Sequence, residues 1–266
     1  MRVIVTRPLE ESRAWVDHLQ QAGFDAVALP LIDVLPAPDP QAVVQAWQRI
    51  AGFDAVMFVS GNAVDYFFAL KPDGINVFNH QAAASPLAFV TGPGSYAALT
   101  RRAGAQSDYI CVPDADAGQF DSEALWAVVR SRIVGGYKVL IVRGTGADLP
   151  DAATPGAGRD WFARQVLQAG GLVDFVVAYQ RKSPVFSGKQ AALVQASATQ
   201  EAVWLFSSSE AIENLVCACP TQKWHDAQAI VTHARIGIAA KQAGFGRVLE
   251  SRPVLANVTA CIQTLQ

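Results

Sequence analysis

Short apolar runs recur along the chain, and most lead through a small polar or glycine-bearing turn into a stretch of helical period. The run at 3–5, "VIV", precedes "SRAWVDHLQQAG", in which Trp15, Val16 and Leu19 share one helix face. The runs "DAVMF" at 54–58, "LAFV" at 87–90, "VLIV" at 139–142, "AVWLF" at 202–206 and "AIV" at 229–231 behave alike. A continuous apolar strand is buried on both faces, and its alternation with amphipathic helices predicts parallel sheets sandwiched between helix layers.

The pattern is written twice. "FVSGNAVDYFF" from Phe58 and "FSSSEAIENLV" from Phe206 match without a gap. "VIVTR" resembles "LIVR", and "LQQAGF" resembles "VLQAGG". "LAFVTGPGSYAALTRRAG" resembles "AIVTHARIGIAAKQAG". A weaker pair, "YICVP…DSEALWAVV" and "RVLESRPVLANVTACIQTL", closes each copy. The fold class expected is α/β, with two similar three-layer, flavodoxin-like domains of about five parallel strands each. A segment at 147–157, rich in Gly, Ala, Pro and Asp, reads as an inserted loop.

Two partitions suit these repeats. The copies either form contiguous halves, or the first unit joins the last three and encloses a domain made of the inner four. "LIDVLPAP" at 31–38 and the segment at 176–184 both turn from apolar to polar partway, as strands crossing between domains would.

Composition narrows the chemistry. At 266 residues and 51% hydrophobic content, the chain has material for two cores. A net charge of −2 offers no nucleic-acid surface, so an anionic ligand needs local groups. Four cysteines without CxxC spacing and four scattered histidines give no metal site and suit a reduced, cytoplasmic setting. The start "MRVIVTRP" is too short an apolar run for a signal peptide, and no membrane span is expected. "GPGSYA" is not a dinucleotide fingerprint and "RGTGAD" is not a P-loop.

Ligands of such sheets bind beyond the carboxyl ends of the strands. There the chain places Arg7, Ser60, Gly92, Ser95, Arg143, Ser208 and Arg235, the candidate binding residues. Helix N-termini, hydroxyls and guanidiniums together suit carboxylates or phosphates. Each Ser alone also reads as an ordinary helix cap. Tyr179 is a packing tyrosine or, facing a cleft, a proton donor. His233 reads first as structural.

The motifs "VTRP", "PLIDVLP", "FDAVMFVSGNAV", "VTGPGS", "VLIVRG…GRDWF", "VAYQR" and "FSSSEAIENL" together resemble the uroporphyrinogen-III synthase family, in order over nearly the whole chain. The resemblance implies two HemD-like α/β domains joined by a two-stranded linker: 1–34 with 182–266, 38–178, and linker strands at 31–38 and 176–184. It implies cyclisation of hydroxymethylbilane to uroporphyrinogen III in an interdomain cleft, with loss of water and inversion of ring D. No cofactor and no metal are implied. Tyr179 matches the family tyrosine proposed to assist departure of the hydroxyl. Ser95 stands where a threonine is frequent, and Arg235 and Ile236 replace two threonines of the family pattern. A monomer is expected, with room for a transient contact with hydroxymethylbilane synthase. The rival expectation is a non-catalytic two-domain binder of an anionic small molecule.

Overall fold

A computed structural model describes residues 1–80, 85–114, 119–146 and 159–265. The insertion read at 147–157 lies outside them. In chain order the strands and helices are β1 (Arg2–Val5), α1 (Leu9–Gln21), β2 (Asp25–Ala28), β3 (Asp33–Pro36), α2 (Pro40–Gln48), β4 (Ala55–Phe58), α3 (Gly61–Ala69), β5 (Leu87–Val90), α4 (Pro93–Ala103), β6 (Ile110–Cys111) and α5 (Ser122–Val129). They continue as β7 (Lys138–Gly146), α6 (Arg159–Gln168), β8 (Leu172–Lys182), α7 (Gly188–Ala196), β9 (Ala202–Phe206), α8 (Ser209–Ala218), β10 (Gln228–Val231), α9 (Ala234–Gln242), β11 (Arg247–Glu250) and α10 (Leu255–Gln263).

The chain divides into two units, Met1–Asp33 with Lys182–Gln266, and Val34–Arg181. The first holds a sheet of order β11-β10-β9-β1-β2 with all its pairs parallel. Numbered along that unit, the order is 2-1-3-4-5, the flavodoxin arrangement. The second holds the order β3-β8-β7-β4-β5-β6. Its last five strands repeat the first sheet, with β7 in the place of β1 and β4 in the place of β9. The expectation of five strands thus meets a sixth, β3, beside β8. The pair β4 and β9, read from the gapless repeat, takes the middle of each sheet, and every residue of both strands is buried.

Each unit closes on aromatic residues. In the second, Trp47 of α2 stacks on Phe67 of α3 at 4.3 Å and donates its indole N–H to the Phe67 carbonyl at 2.9 Å. In the first, Trp204 of β9 lies edge-on to Trp224 and donates to the Ser197 carbonyl at 2.8 Å. Burying an indole requires such a partner for its N–H, and both tryptophans are fully buried.

Register levels the strand ends. Val5 lies beside Leu205, Phe58 beside both Val142 and Val90, and Phe206 beside Val231. The turns that leave these strands therefore gather at one edge of each sheet, the edge where parallel sheets take ligands.

Candidate active site

In the second unit, Ser60 leaves β4 and caps α3. Its Oγ accepts from the Ala63 N–H at 3.1 Å, the side-chain cap that a Ser in this place supplies. The same oxygen lies 3.1 Å from the Tyr179 hydroxyl. Tyr179 comes from β8 and is only 3% exposed. Its ring stacks on Tyr66 of α3, with centroids 6.1 Å apart, and the Tyr66 hydroxyl donates to the Val34 carbonyl at 2.8 Å. The ring is core, as the packing reading has it, and the phenol oxygen meets one polar partner, Ser60, at the strand edge.

Gly92 and Ser95 sit in the next turn. Gly92 is the N-cap of α4 with extended backbone, and a Cβ there would lie 3.0 Å from Cβ of Phe120. The first backbone bond of α4 runs from the Tyr96 N–H to the Gly92 carbonyl, and no side chain caps this end. Ser95, the third residue of α4, is 5% exposed, so its side chain belongs to the wall of the helix start. The two helix starts are close: a Cβ on Gly61 would stand 3.6 Å from the Gly94 carbonyl oxygen. Arg143 lies inside β7 rather than beyond it, because that strand pairs with β8 as far as Gly146. It is buried, with its guanidinium 4.5 Å over the Phe175 ring.

The first unit carries the matching edge. The Thr6 hydroxyl donates to the Leu205 carbonyl at 2.6 Å, and the Ser12 hydroxyl to the Arg7 carbonyl at 2.6 Å, which fixes the turn around Arg7. Arg7 pairs with Glu11 at 3.1 Å and lies 4.5 Å over the Trp15 ring. Like Arg143, it is a guanidinium held on an aromatic face, but Arg7 follows its strand whereas Arg143 lies within β7. Ser208 begins α8 but makes no side-chain cap, and the neighbouring Ser209 hydroxyl is buried without a hydrogen-bond partner. His233 caps α9, its Nδ1 accepting from the Arg235 N–H at 3.0 Å. That bond makes Nδ1 an acceptor and gives the imidazole a structural task, as its sequence context suggested.

Arg235 is exposed and Ile236 is 5% exposed. Ser95 and Ile236 are the third residues of α4 and α9, which follow strands of equal place in the two sheets. Both side chains point inward, so the exchange of hydroxyl for isoleucine is a packing change, and the cation beside it faces water. Tyr66 and Phe120 complete the surroundings of the site and were not singled out from sequence. Gly144, next to Arg143, reads from sequence with it as a residue past the strand but lies within β7 and is not among the candidate binding residues. Among the described residues no group of three His, Cys, Asp or Glu side chains could hold a metal ion, and no helix is long and apolar enough to cross a membrane.

A family model described as "Uroporphyrinogen-III synthase HemD" matches residues 13–258. The chain belongs to that family. A porphyrin biosynthesis protein HemD from Ruminiclostridium josui is 33% identical over 67 residues, a stretch that spans 25% of this chain and 13% of that protein. The fold is similar to a mutant uroporphyrinogen III synthase from the extremely thermophilic bacterium Thermus thermophilus, with TM-score 0.58, 13% identity, and coverage of 100% of this chain and 98% of that one. It is similar to nearly the same degree to uroporphyrinogen-III synthetase from Helicobacter pylori, with TM-score 0.56, 13% identity and full coverage of both. At such identity the likeness is one of fold, the two-domain α/β architecture of uroporphyrinogen-III synthases. Membership of the family rests on the sequence match.

Proposed function

We propose that the chain is a uroporphyrinogen-III synthase, cyclising hydroxymethylbilane to uroporphyrinogen III with loss of water and inversion of ring D. The observation that carries this reading is the family match across residues 13–258. The paired Tyr179 and Ser60 hydroxyls at the carboxyl edge of a parallel sheet support it.

The reaction asks for two things. The substrate's hydroxyl must leave as water, which a proton donor assists. The chain must then close through the substituted position of ring D rather than the open one, which is a matter of holding the substrate in one geometry. Tyr179 supplies the proton, and Ser60 shares it through their common hydrogen bond. Because Tyr179 is buried, Ser60 is the hydroxyl of the pair that faces outward, and the proton passes through it or beside it.

The substrate carries eight carboxylates. Helix starts bind such groups through free amides and a partial positive charge. The starts of α4 and α8 lack side-chain caps, so their first-turn amides are better placed to donate to a carboxylate than those of α3 and α9, which Ser60 and His233 occupy. Gly92, Ser95 and Ser208 act there through backbone and hydroxyl. Arg7 and Arg235 add positive charge just past their strands, and Arg143 adds it from within β7. The protein works in the cytoplasm as a monomer, receiving its substrate from hydroxymethylbilane synthase.

The test is an isomer-resolved assay with freshly made hydroxymethylbilane. The expected product is the type III isomer, without added metal or nucleotide. Type I alone, the product of unaided closure, would end this reading.

A further inference from the structure

The pairing of β7 with β8 changes register at one point. Arg143 lies beside Val177, but Gly144 lies beside Tyr179, so Ala178 is an extra residue on β8. A bulge of this kind is rare between parallel strands, and it re-aims the side chains that follow. In a regular strand Val176 and Ala178 would share one face and Tyr179 would point to the other. Here all three belong to one apolar cluster, together with Val64 and Phe67 of α3. The bulge thus swings the tyrosine onto the face that α3 covers, where Ser60 meets its hydroxyl and Tyr66 its ring.

Gly144 provides the room. A Cβ built on it would overlap Cε2 and Cζ of Tyr179 and lie 2.9 Å from Cδ2. The Gly144 φ is not in the left-handed region, so it is the missing side chain that the position needs, not backbone freedom. Any other residue would push against the ring, which is 3% exposed and stacked on Tyr66 and so has little room to give.

The geometry points to Gly144 as a positioning residue for Tyr179, acting with the bulge at Ala178 to hold the phenol on Ser60. This inference rests on the reading of Tyr179 as the proton donor. Gly144→Ala should lower kcat with KM little changed, by up to the whole contribution of the acid, about 10²–10⁴-fold. In a Tyr179→Phe background the same alanine should cause no further loss of kcat, although it still meets a ring and still lowers the melting temperature. Multiplying kcat losses in the double variant would overturn the proposal.

Placement can be read without turnover. The chain has five tyrosines, and ring-labelled tyrosine with ¹³C at Cζ gives a signal for Tyr179 identified by its loss in Tyr179→Phe. Gly144→Ala should shift that signal as the hydroxyl leaves Ser60; an unmoved signal would overturn the proposal. If Gly144→Ala fails to fold, adding Tyr179→Ala should restore folding by removing the ring, and failure to restore it would show that the glycine serves something else. Wild-type turnover in Tyr179→Phe would sink the proton-donor reading alone, since the Cζ signal still decides whether Gly144 places the ring.

Discussion

The Tyr179 hydroxyl lies 3.1 Å from Ser60 Oγ, and that oxygen at the same time accepts the Ala63 N–H at 3.1 Å. One serine therefore joins the start of a helix to a strand far away in sequence. The amide bond uses one lone pair of Oγ, which leaves the hydroxyl able to donate to the phenol or to accept from it.

Removing either partner should have different consequences. Tyr179→Phe keeps the ring and its packing, so the fold should persist while kcat falls about 10²–10⁴-fold. Ser60→Ala loses a helix cap as well, about 1 kcal/mol of stability, and should lower kcat less if water can take the place of Oγ. Steady-state kinetics and thermal melts on both variants check this. Unchanged kcat in a well-folded Phe variant would remove Tyr179 from the mechanism.

Ser208 offers the complementary case. It holds the same place at the start of α8 but makes no cap bond. Ser208→Ala should therefore leave stability within about 0.5 kcal/mol of wild type while raising KM for hydroxymethylbilane. A melting shift as large as that of Ser60→Ala, with no kinetic change, would assign Ser208 to the fold.

The arginines should separate by burial. Arg143 is 8% exposed and stacked on Phe175, so Arg143→Ala opens a gap in packed structure and should lower the melting temperature clearly. Arg235 is exposed, and Arg235→Ala should change stability by no more than about 0.5 kcal/mol yet raise KM if it meets a substrate carboxylate. Arg7, tied to Glu11 and Trp15, should fall between them. Equal kinetics in all three variants would leave helix starts and hydroxyls as the holders of the carboxylates.

What could be read from the chain beforehand depended on signals carried by several residues at once. The gapless match of Phe58 to Phe206 found the two central strands because a strand buried on both faces must be apolar at every position. The turns after them were legible because Ser60 and Ser208 open helices. The bulge at Ala178 was not, since "VVAY" is apolar throughout and alternation, the only sign of facing, is lost in such a run. For the same reason "VLIVRG" did not reveal that β7 continues past Arg143. The stacking of Tyr66 on Tyr179 and the room left by Gly144 follow from the bulge and were hidden with it.

Alkaline pH should expose a weakness in the second unit away from the site. Burial, aided by the nearby Asp54 carboxylate, pushes the Tyr137 phenol from an ordinary value near 10 up to about 12. Burial also raises the Cys111 thiol, against an opposing pull from Arg132. Between about pH 10 and 12 the unfolded chain has lost the Tyr137 proton while the folded chain retains it. The unfolded state then binds fewer protons, so stability falls as pH rises through this window. Urea melts across it should show the decline, and Tyr137→Phe should flatten it. A slope unchanged by that substitution would place the alkaline loss elsewhere.

The last prediction concerns which pieces of the chain fold alone. We propose that the folding units are the crossed-over pair rather than the two sequence copies. A fragment 34–181 keeps β3 to β8 together, short only of Asp33 and Lys182, with every strand of the six-stranded sheet beside its neighbours. It also keeps both apolar layers of that sheet, the one around Trp47 and Phe67 and the one around Phe89 and Phe162. A fragment 1–134 contains one whole sequence copy but cuts between β6 and β7. It strips β7 from β4, leaving an open edge along Ala55–Phe58, a strand with no exposed residue. It also leaves β3 without β8, its neighbour in the sheet, and keeps β1 and β2 without β9. A bare apolar edge in a parallel sheet recruits other chains, so 1–134 should scatter light at micromolar concentration and show no cooperative melt. The 34–181 fragment should stay soluble and unfold in a single urea transition. It should also be inactive, since Arg7, Ser208 and Arg235 are absent from it. A soluble, cooperatively melting 1–134, with aggregation of 34–181, would assign folding to the contiguous copies and leave the proposed reaction of the full chain untouched.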